Sequence, residues 1–266
     1  MIERFSHSSL ETFKKCPVQF KIRYLDKVLK PDESIEAFLG KRLHETVEYL
    51  YNTVGENGTP MLDIVMDKFQ EYWESSWHNR IGIVRWREYR AEDYYALGEK
   101  CLAKFYRQYK PFDEPAVGNE LELVFHLDDS KNYKIKGILD RVDHDGSGKW
   151  EIHDYKSGKR ALTQGAANRD TQLALYQIGL EKKFDNVNEV ELVWHFLQHG
   201  IEMRSRRTKE ELKLLSENIK TRIDNIRTAI ADKHDFPAKE SILCNWCYYW
   251  DECPAKYRPN PFIRKY

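Results

Sequence analysis

The segment GILDRVDHDGSGKWEIHDYKSGK, Gly137 to Lys159, sets two carboxylates, Asp140 and Asp154, on either side of a turn, with Lys156 two residues beyond the second. DHDGSG, Asp143 to Gly148, is a strong turn signal, and alternating apolar residues flank it. Lys134–Val142 and Lys149–Tyr155 are therefore expected to pair as an antiparallel hairpin, with Asp140 opposite Asp154. Period-two alternation would put Ile138, Asp140 and Val142 on one face with Trp150, Ile152, Asp154 and Lys156. Directly opposed side chains stand roughly 5 Å apart, where like charges repel. Two acids persist there if they share a proton, if a cation bridges them, or if the register slips. A divalent metal also gives Lys156 a task, holding a water or a phosphate oxygen. A D-x-K triplet alone is common; its weight comes from the paired register and the apolar neighbours.

Three other groupings carry chemistry. In RDTQLALYQIGL, Arg169 to Leu180, the residues Arg169, Gln172 and Tyr176 fall on one face if the segment is helical, where a glutamine and a tyrosine can orient a water or a phosphate. Without the acidic hairpin, the same segment reads as an amphipathic helix with a polar outer face. In FLGKRLHETVEYL, His44 lies one turn after Gly40. A lone helical histidine is usually structural, but neutral imidazole is a good metal ligand and Gly40 permits close approach. The five cysteines stand at 16, 101, 244, 247 and 253. Cys244-x2-Cys247-x5-Cys253 has metal-ligand spacing, and three such residues leave a tetrahedral site one ligand short. Cys16 stands at an expected helix break, where a thiolate is stabilised. Cys101 falls on an apolar stripe and reads as core. Thiolate sites take zinc or iron–sulfur. The basic runs Lys156–Arg160 and Arg204–Arg207 would bind phosphates if both flanked the acids, and are solvated turns otherwise.

The elements that must position these residues change character near residue 115. A capping box at SSLE, Ser8 to Glu11, starts a helix, which breaks at Cys16 before Pro17. Further helices are expected over Ile35 to about Thr53, Met61–Asn79 and about Glu92–Tyr109. Strands follow over Glu120–Leu127, Lys134–Val142 and Lys149–Tyr155, then a helix over Arg169–Lys182, strands over Val190–Gln198 and Ile201–Arg207, and a long amphipathic helix over Lys209–Asp232. The expectation is an α/β fold in which helices flank a mixed sheet. One domain would comprise a helical region 1–114, a core 115–207, and a long helix with a Cys-rich tail 208–266.

The charges balance at 43 basic and 43 acidic residues, so the total neither requires nor excludes a nucleic-acid partner. The N-terminal MIERFSHSSLETFKK is polar and no apolar run is long enough to cross a bilayer, which leads to the expectation of a cytoplasmic protein without a membrane partner. An odd cysteine count without a secretion signal makes a poor disulfide framework.

Taken in order, SHSSLETFKKCP, GKRLH, GILDRVD, EIHDYKSG, QLALY and CNWCYYWDEC resemble the PD-(D/E)XK nuclease superfamily in its RecB-like exonuclease branch. The likeness is to members with an iron–sulfur cluster, the CRISPR-associated RecB-like exonucleases and AddB-type nuclease domains. The resemblance implies a restriction-endonuclease-like core that hydrolyses phosphodiester bonds in single-stranded DNA or at DNA ends. It implies His44, Asp140 and Asp154 as ligands of Mg²⁺ or Mn²⁺, Lys156 as the catalytic lysine, orienting or deprotonating water, and Gln172 and Tyr176 as the accompanying helix motif. It implies Cys16, Cys244, Cys247 and Cys253 as [4Fe–4S] ligands, with zinc the competitor. Asp154 stands where many members have Glu. No helicase motif is found, so a nuclease domain without its own helicase is expected, with other proteins of a DNA-processing complex as partners. A poorly cutting DNA-binding subunit and an RNA-directed nuclease are the alternatives.

Overall fold

The computed structural model describes residues 2–85, 87–232 and 236–257. Its centre is a five-stranded mixed sheet. The strands are β3 (Ala116–His126), β4 (Lys134–His144), β5 (Lys149–Lys156), β6 (Glu189–Phe196) and β7 (Ile201–Ser205), adjacent in that order. Only β5 and β6 run parallel, because the chain between them crosses over through α6 (Gln164–Ala167) and α7 (Gln172–Lys183). A short parallel pair, β1 (Glu33–Ser34) and β2 (Ile81–Gly82), lies apart.

Apolar side chains bury on both faces of the sheet. One core joins Leu139, Val142, Trp150 and Ile152 to α7 and to α8 (Lys209–Ala231) through Leu173, Leu180, Ile219 and Ile223. The other joins Tyr155 and Leu197 to α3 (Ile35–Asn57), α4 (Leu62–Ser76) and α5 (Ala91–Tyr109), with Leu43, Val47, Phe69 and Phe105 inside and Cys101 buried among them. Burying one such side chain contributes about 1.5–3 kcal/mol. Tyr155, the residue after Asp154, thus packs against α3–α5, whereas Phe5, Leu10 and Phe20 near the start of the chain join the first core.

The helix starts differ from expectation in two places. α1 (His7–Lys15) is capped by Ser6 rather than begun at Ser8: its hydroxyl accepts from Ser9 N (3.2 Å), while Ser6 N donates to Ser9 Oγ (2.9 Å). The break at Cys16 is present, and α2 (Pro17–Phe20) starts on Pro17. α7 begins at Gln172, because Asp170 Oδ1 accepts from the amides of Gln172 and Leu173 (2.9 and 3.1 Å), so Arg169 lies outside the helix and away from the Gln172–Tyr176 face. Nor has α7 a polar outer face: Leu173, Ala174, Leu175, Gln177, Ile178 and Leu180 are all buried between the sheet and α8.

The hairpin register is the expected one, with Arg141 paired to His153 and Val142 to Ile152, but the expected face is wrong at its far end. Ile138 is 42 % exposed while Leu139 is fully buried, in the same core as Val142 three positions on. Alternation breaks at Asp140. On the neighbouring strand Asn119 and Leu121 pair with Arg141 and Leu139, and Glu120 between them turns to φ 48°. A local irregularity of this kind re-aims a side chain.

Two glycines allow the helices to approach. A Cβ on Gly137 would lie 2.6 Å from the Tyr176 ring, and one on Gly40 would lie 2.9 Å from Ser157 Oγ. Gly137→Ala is therefore expected to cost about 1–3 kcal/mol of stability by overpacking, read as a lowered urea midpoint. An unchanged midpoint would mean that Tyr176 is not seated on β4.

Candidate active site

The antiparallel β4–β5 ladder stops at Arg141 and His153, and the two acids just beyond it diverge. Asp140 turns toward α3, where its Oδ2 accepts from Tyr155 N (2.8 Å) and stands 3.4 Å from His44 Nδ1. Asp154 turns toward α7, with Oδ2 2.7 Å from Lys156 Nζ and Oδ1 accepting from Gln172 Nε2 (3.1 Å). Asp140 and Asp154 are thus neighbours rather than a directly facing pair, because the ladder stops at Arg141 and His153. Lys156 also donates to Gln172 Oε1 (3.1 Å), so Gln172 clasps acid and lysine together, and Tyr176 OH lies 3.5 Å from its Nε2.

His44 is oriented by the backbone. Its Nε2 is 2.7 Å from the carbonyl of Tyr155, which can only accept, so Nε2 carries the proton and Nδ1 of the neutral ring offers a lone pair toward Asp140. Glu120 completes the group: one ligand atom each from His44, Glu120 and Asp140 lie within 4.8 Å of one another. Oxygen and imidazole donors at this spacing fit Mg²⁺ or Mn²⁺. Asp154 lies outside that triad, beside it. Glu120 carries no signal of its role in the sequence, where it is only the first residue of an expected strand. A second triad, Asp143, Glu151 and His153, is a poor metal site because a cation already fills it. Arg141 Nε is 3.0 Å from Asp143 Oδ1, and Arg141 sits over the Tyr51 ring at 4.2 Å.

Burial sets the electrostatics. It pushes Asp140 up to about 6, with His44 opposing and Asp154 reinforcing the shift. It pushes Glu120 up to about 6 as well, reinforced by Asp140. Burial also raises Asp154, against the pull of Lys156. Lys156 is itself disfavoured as a cation by burial, but Asp154 outweighs this and holds its pKa above the ordinary lysine value. Lys156 therefore stays charged.

The basic runs do not both face the acids. Arg204 is held by Glu151 and Glu191 (2.7 and 2.6 Å), Arg206 by Glu189 and Glu191, and Arg207 by the carbonyls of Ala167 and Asp170. Carboxylates nearby in the sheet claim the first two. Lys159 and Arg160 remain exposed on the loop after β5.

Apart from the acids, Cys16, Cys244, Cys247 and Cys253 line one cavity of about 20 Å³, walled by Val18, Ile22, Tyr249 and Ala255. Burial pushes the Cys247 thiol up to about 11, and the other three sulfurs add to the rise. Four soft donors in an apolar shell fit zinc or an iron–sulfur cluster, whose binding would have to displace thiol protons.

A sequence model of the PD-(D/E)XK nuclease superfamily matches residues 4–254. The chain belongs to this superfamily. Among curated proteins, an ATP-dependent helicase/deoxyribonuclease subunit of Carboxydothermus hydrogenoformans is 28 % identical over 185 residues, which is 59 % of this chain and 16 % of that protein. The chain thus spans about a sixth of that relative's length. Among solved structures, a protein of Eubacterium rectale provisionally named an exonuclease superposes with a TM-score of 0.55 at 11 % identity, covering 92 % of this chain and 86 % of the other. At that identity the match shows the fold: a mixed sheet flanked by helices, as a PD-(D/E)XK nuclease requires. No described helix is long and apolar enough to cross a membrane.

The raised carboxylates predict a pH dependence. Above about 6 Asp140 and Glu120 are charged, and below it they are protonated. Mn²⁺ affinity, which needs the charged forms, should fall ~10-fold or more between pH 7.5 and 5.5, measured by calorimetry. Affinity flat across that window would remove these two residues from the metal site.

Proposed function

We propose that the chain is a Mg²⁺- or Mn²⁺-dependent deoxyribonuclease that hydrolyses phosphodiester bonds in single-stranded DNA or at DNA ends. The whole chain would act as a single nuclease domain. The observation that carries this reading is the deficit of protein cation around Asp140, Glu120 and Asp154, set beside one charged lysine in a chain of nuclease ancestry. His44, Glu120 and Asp140 would hold the metal, with Asp154 alongside. When bound, the metal would supply Lewis-acid polarisation of the scissile phosphate and a lowered pKa for water.

The rest of the chemistry falls to the chain. Lys156, kept protonated by Asp154, offsets negative charge as the phosphorus becomes five-coordinate. A lysine with a raised pKa is poorly suited to take a proton, so this reading favours charge compensation over general-base action. Gln172 holds Lys156 and Asp154 in register with each other, and Tyr176, seated over Gly137, backs Gln172. The shorter Asp154, where many family members carry Glu, is reached by Lys156 directly.

The four cysteines would hold a [4Fe–4S] cluster, with zinc the alternative, as a staple between α2 and the tail. Similarity to a protein named as a helicase/deoxyribonuclease subunit supports partner proteins in a DNA-processing complex.

Digestion of end-labelled single- and double-stranded DNA with Mg²⁺, Mn²⁺ or EDTA tests the function. Asp154→Ala and Lys156→Ala should each lower cleavage at least ~100-fold with the circular dichroism spectrum retained. Wild-type rates in either variant would refute the assignment. For the staple, anaerobic protein should be brown with about four irons per chain. Cys16→Ala should lose the colour and about 2 kcal/mol or more of stability, and Cys101→Ala should keep both. A colourless protein with stoichiometric zinc would replace the cluster and leave the nuclease reading standing.

A further inference from the structure

A cleft of about 570 Å³ opens at His44 and Glu120 and is walled by α3 and Ser157. It continues, through the shared residues Glu36, Ala37 and Ser157, into a second cleft of about 730 Å³. The two halves differ in character. The first carries Glu45, Glu48 and Glu120, which suits a metal and repels a phosphate chain. The second carries a single carboxylate, Glu36, which accepts from Tyr94 OH (2.9 Å), and it faces two cations and an indole: Arg85, Lys159 and Trp246. Lys159 and Arg85 both lie 4.9 Å from the Tyr89 ring, so the cations are gathered on an aromatic support rather than scattered, although Glu88 already pairs with the Arg85 guanidinium.

Trp246 comes from the tail, between Cys244 and Cys247. The tail is fixed to the start of α3, where Ser34 N donates to Tyr248 OH (2.9 Å), and to the preceding loop, where Lys30 pairs with Glu252 (2.6 Å). The tail therefore does more than close the chain on itself: it places an aromatic ring on a path that begins at the metal triad.

A cation with a stacking ring along a groove is what a protein uses to hold single-stranded nucleic acid without reading its sequence. We propose that this second cleft binds the single-stranded DNA segment adjoining the scissile phosphate, with Trp246 stacking on a base and Lys159 on a phosphate. The proposal rests on the nuclease reading for the identity of the nucleic acid.

The test is fluorescence anisotropy with labelled oligothymidylate in Ca²⁺, with the oligonucleotide checked for integrity on a gel. Trp246→Ala and Lys159→Ala should each weaken binding at least ~5-fold, the low end for loss of one base stack, and Trp246→Phe should restore most of it. Lys213→Ala, an exposed charge on α8, should bind as wild type. Lys159 is exposed, so its variant folds even if Trp246→Ala does not. Wild-type affinity in Lys159→Ala and Trp246→Phe alike, with no loss in Trp246→Ala, would overturn the proposal. So would a blunt duplex bound as tightly as the single strand, or RNA bound in preference to DNA. Binding lost in these variants of a protein that never cleaves would uphold the cleft and sink the nuclease reading. Cleavage with binding unaffected would do the reverse.

Discussion

Three carboxylates, Asp140, Asp154 and Glu120, crowd the sheet where the β4–β5 ladder stops, and one lysine is set among them. Lys156 is spent on Asp154. Asp140 has a backbone amide and the His44 ring beside it, and Glu120 adds a further acid. Asp140 is largely shielded from water, where a carboxylate is held charged at a cost unless a cation answers it, and its raised pKa expresses that cost; Glu120, more exposed, is raised as well, in part by Asp140 itself. With all three acids charged, the site is short of two positive charges, which one divalent cation supplies.

The scaffold holds that arrangement from both sides. On the α3 side a buried network does the anchoring: Arg141 binds Asp143 and rests on Tyr51, two turns along α3 from His44. His153 Nδ1 and His195 Nε2 lie 2.9 Å apart beneath it, and burial drives both rings well below the ordinary histidine range, so the pair stays neutral. Breaking such a network by removing one partner costs far more than the pair contributes, which keeps α3 and His44 in place. On the α7 side an almost wholly buried helix brings Gln172 to the lysine.

Much of this is legible in the sequence because it is local. The DHDGSG turn sets the hairpin register, Pro17 sets the break at Cys16, and the change from helical to alternating periodicity locates the sheet. Asp140, Asp154, Lys156, His44, Gln172 and Tyr176 are each visible as types at a spacing, and the fold brings all six together. What the sequence hides is tertiary. Nothing in NELEL announces that Glu120 adopts a positive φ, so neither its place beside His44 nor the flip of Asp140 away from the Ile138 face can be read. Arg204 and Arg206 look like phosphate ligands until the sheet sets Glu189, Glu191 and Glu151 beside them. The acidic and cationic halves of the cleft join residues from α3, the β5 loop and the tail, which no local pattern links.

The account turns on where the missing cation goes. Crystals soaked in Mn²⁺ and measured at the manganese edge should show an anomalous peak bounded by His44 Nδ1 and the carboxylates of Asp140 and Glu120, with His44 Nε2 still on the Tyr155 carbonyl. A peak confined to the Asp143–Glu151–His153 pocket, or no ordered peak beside His44 at neutral pH, would contradict it.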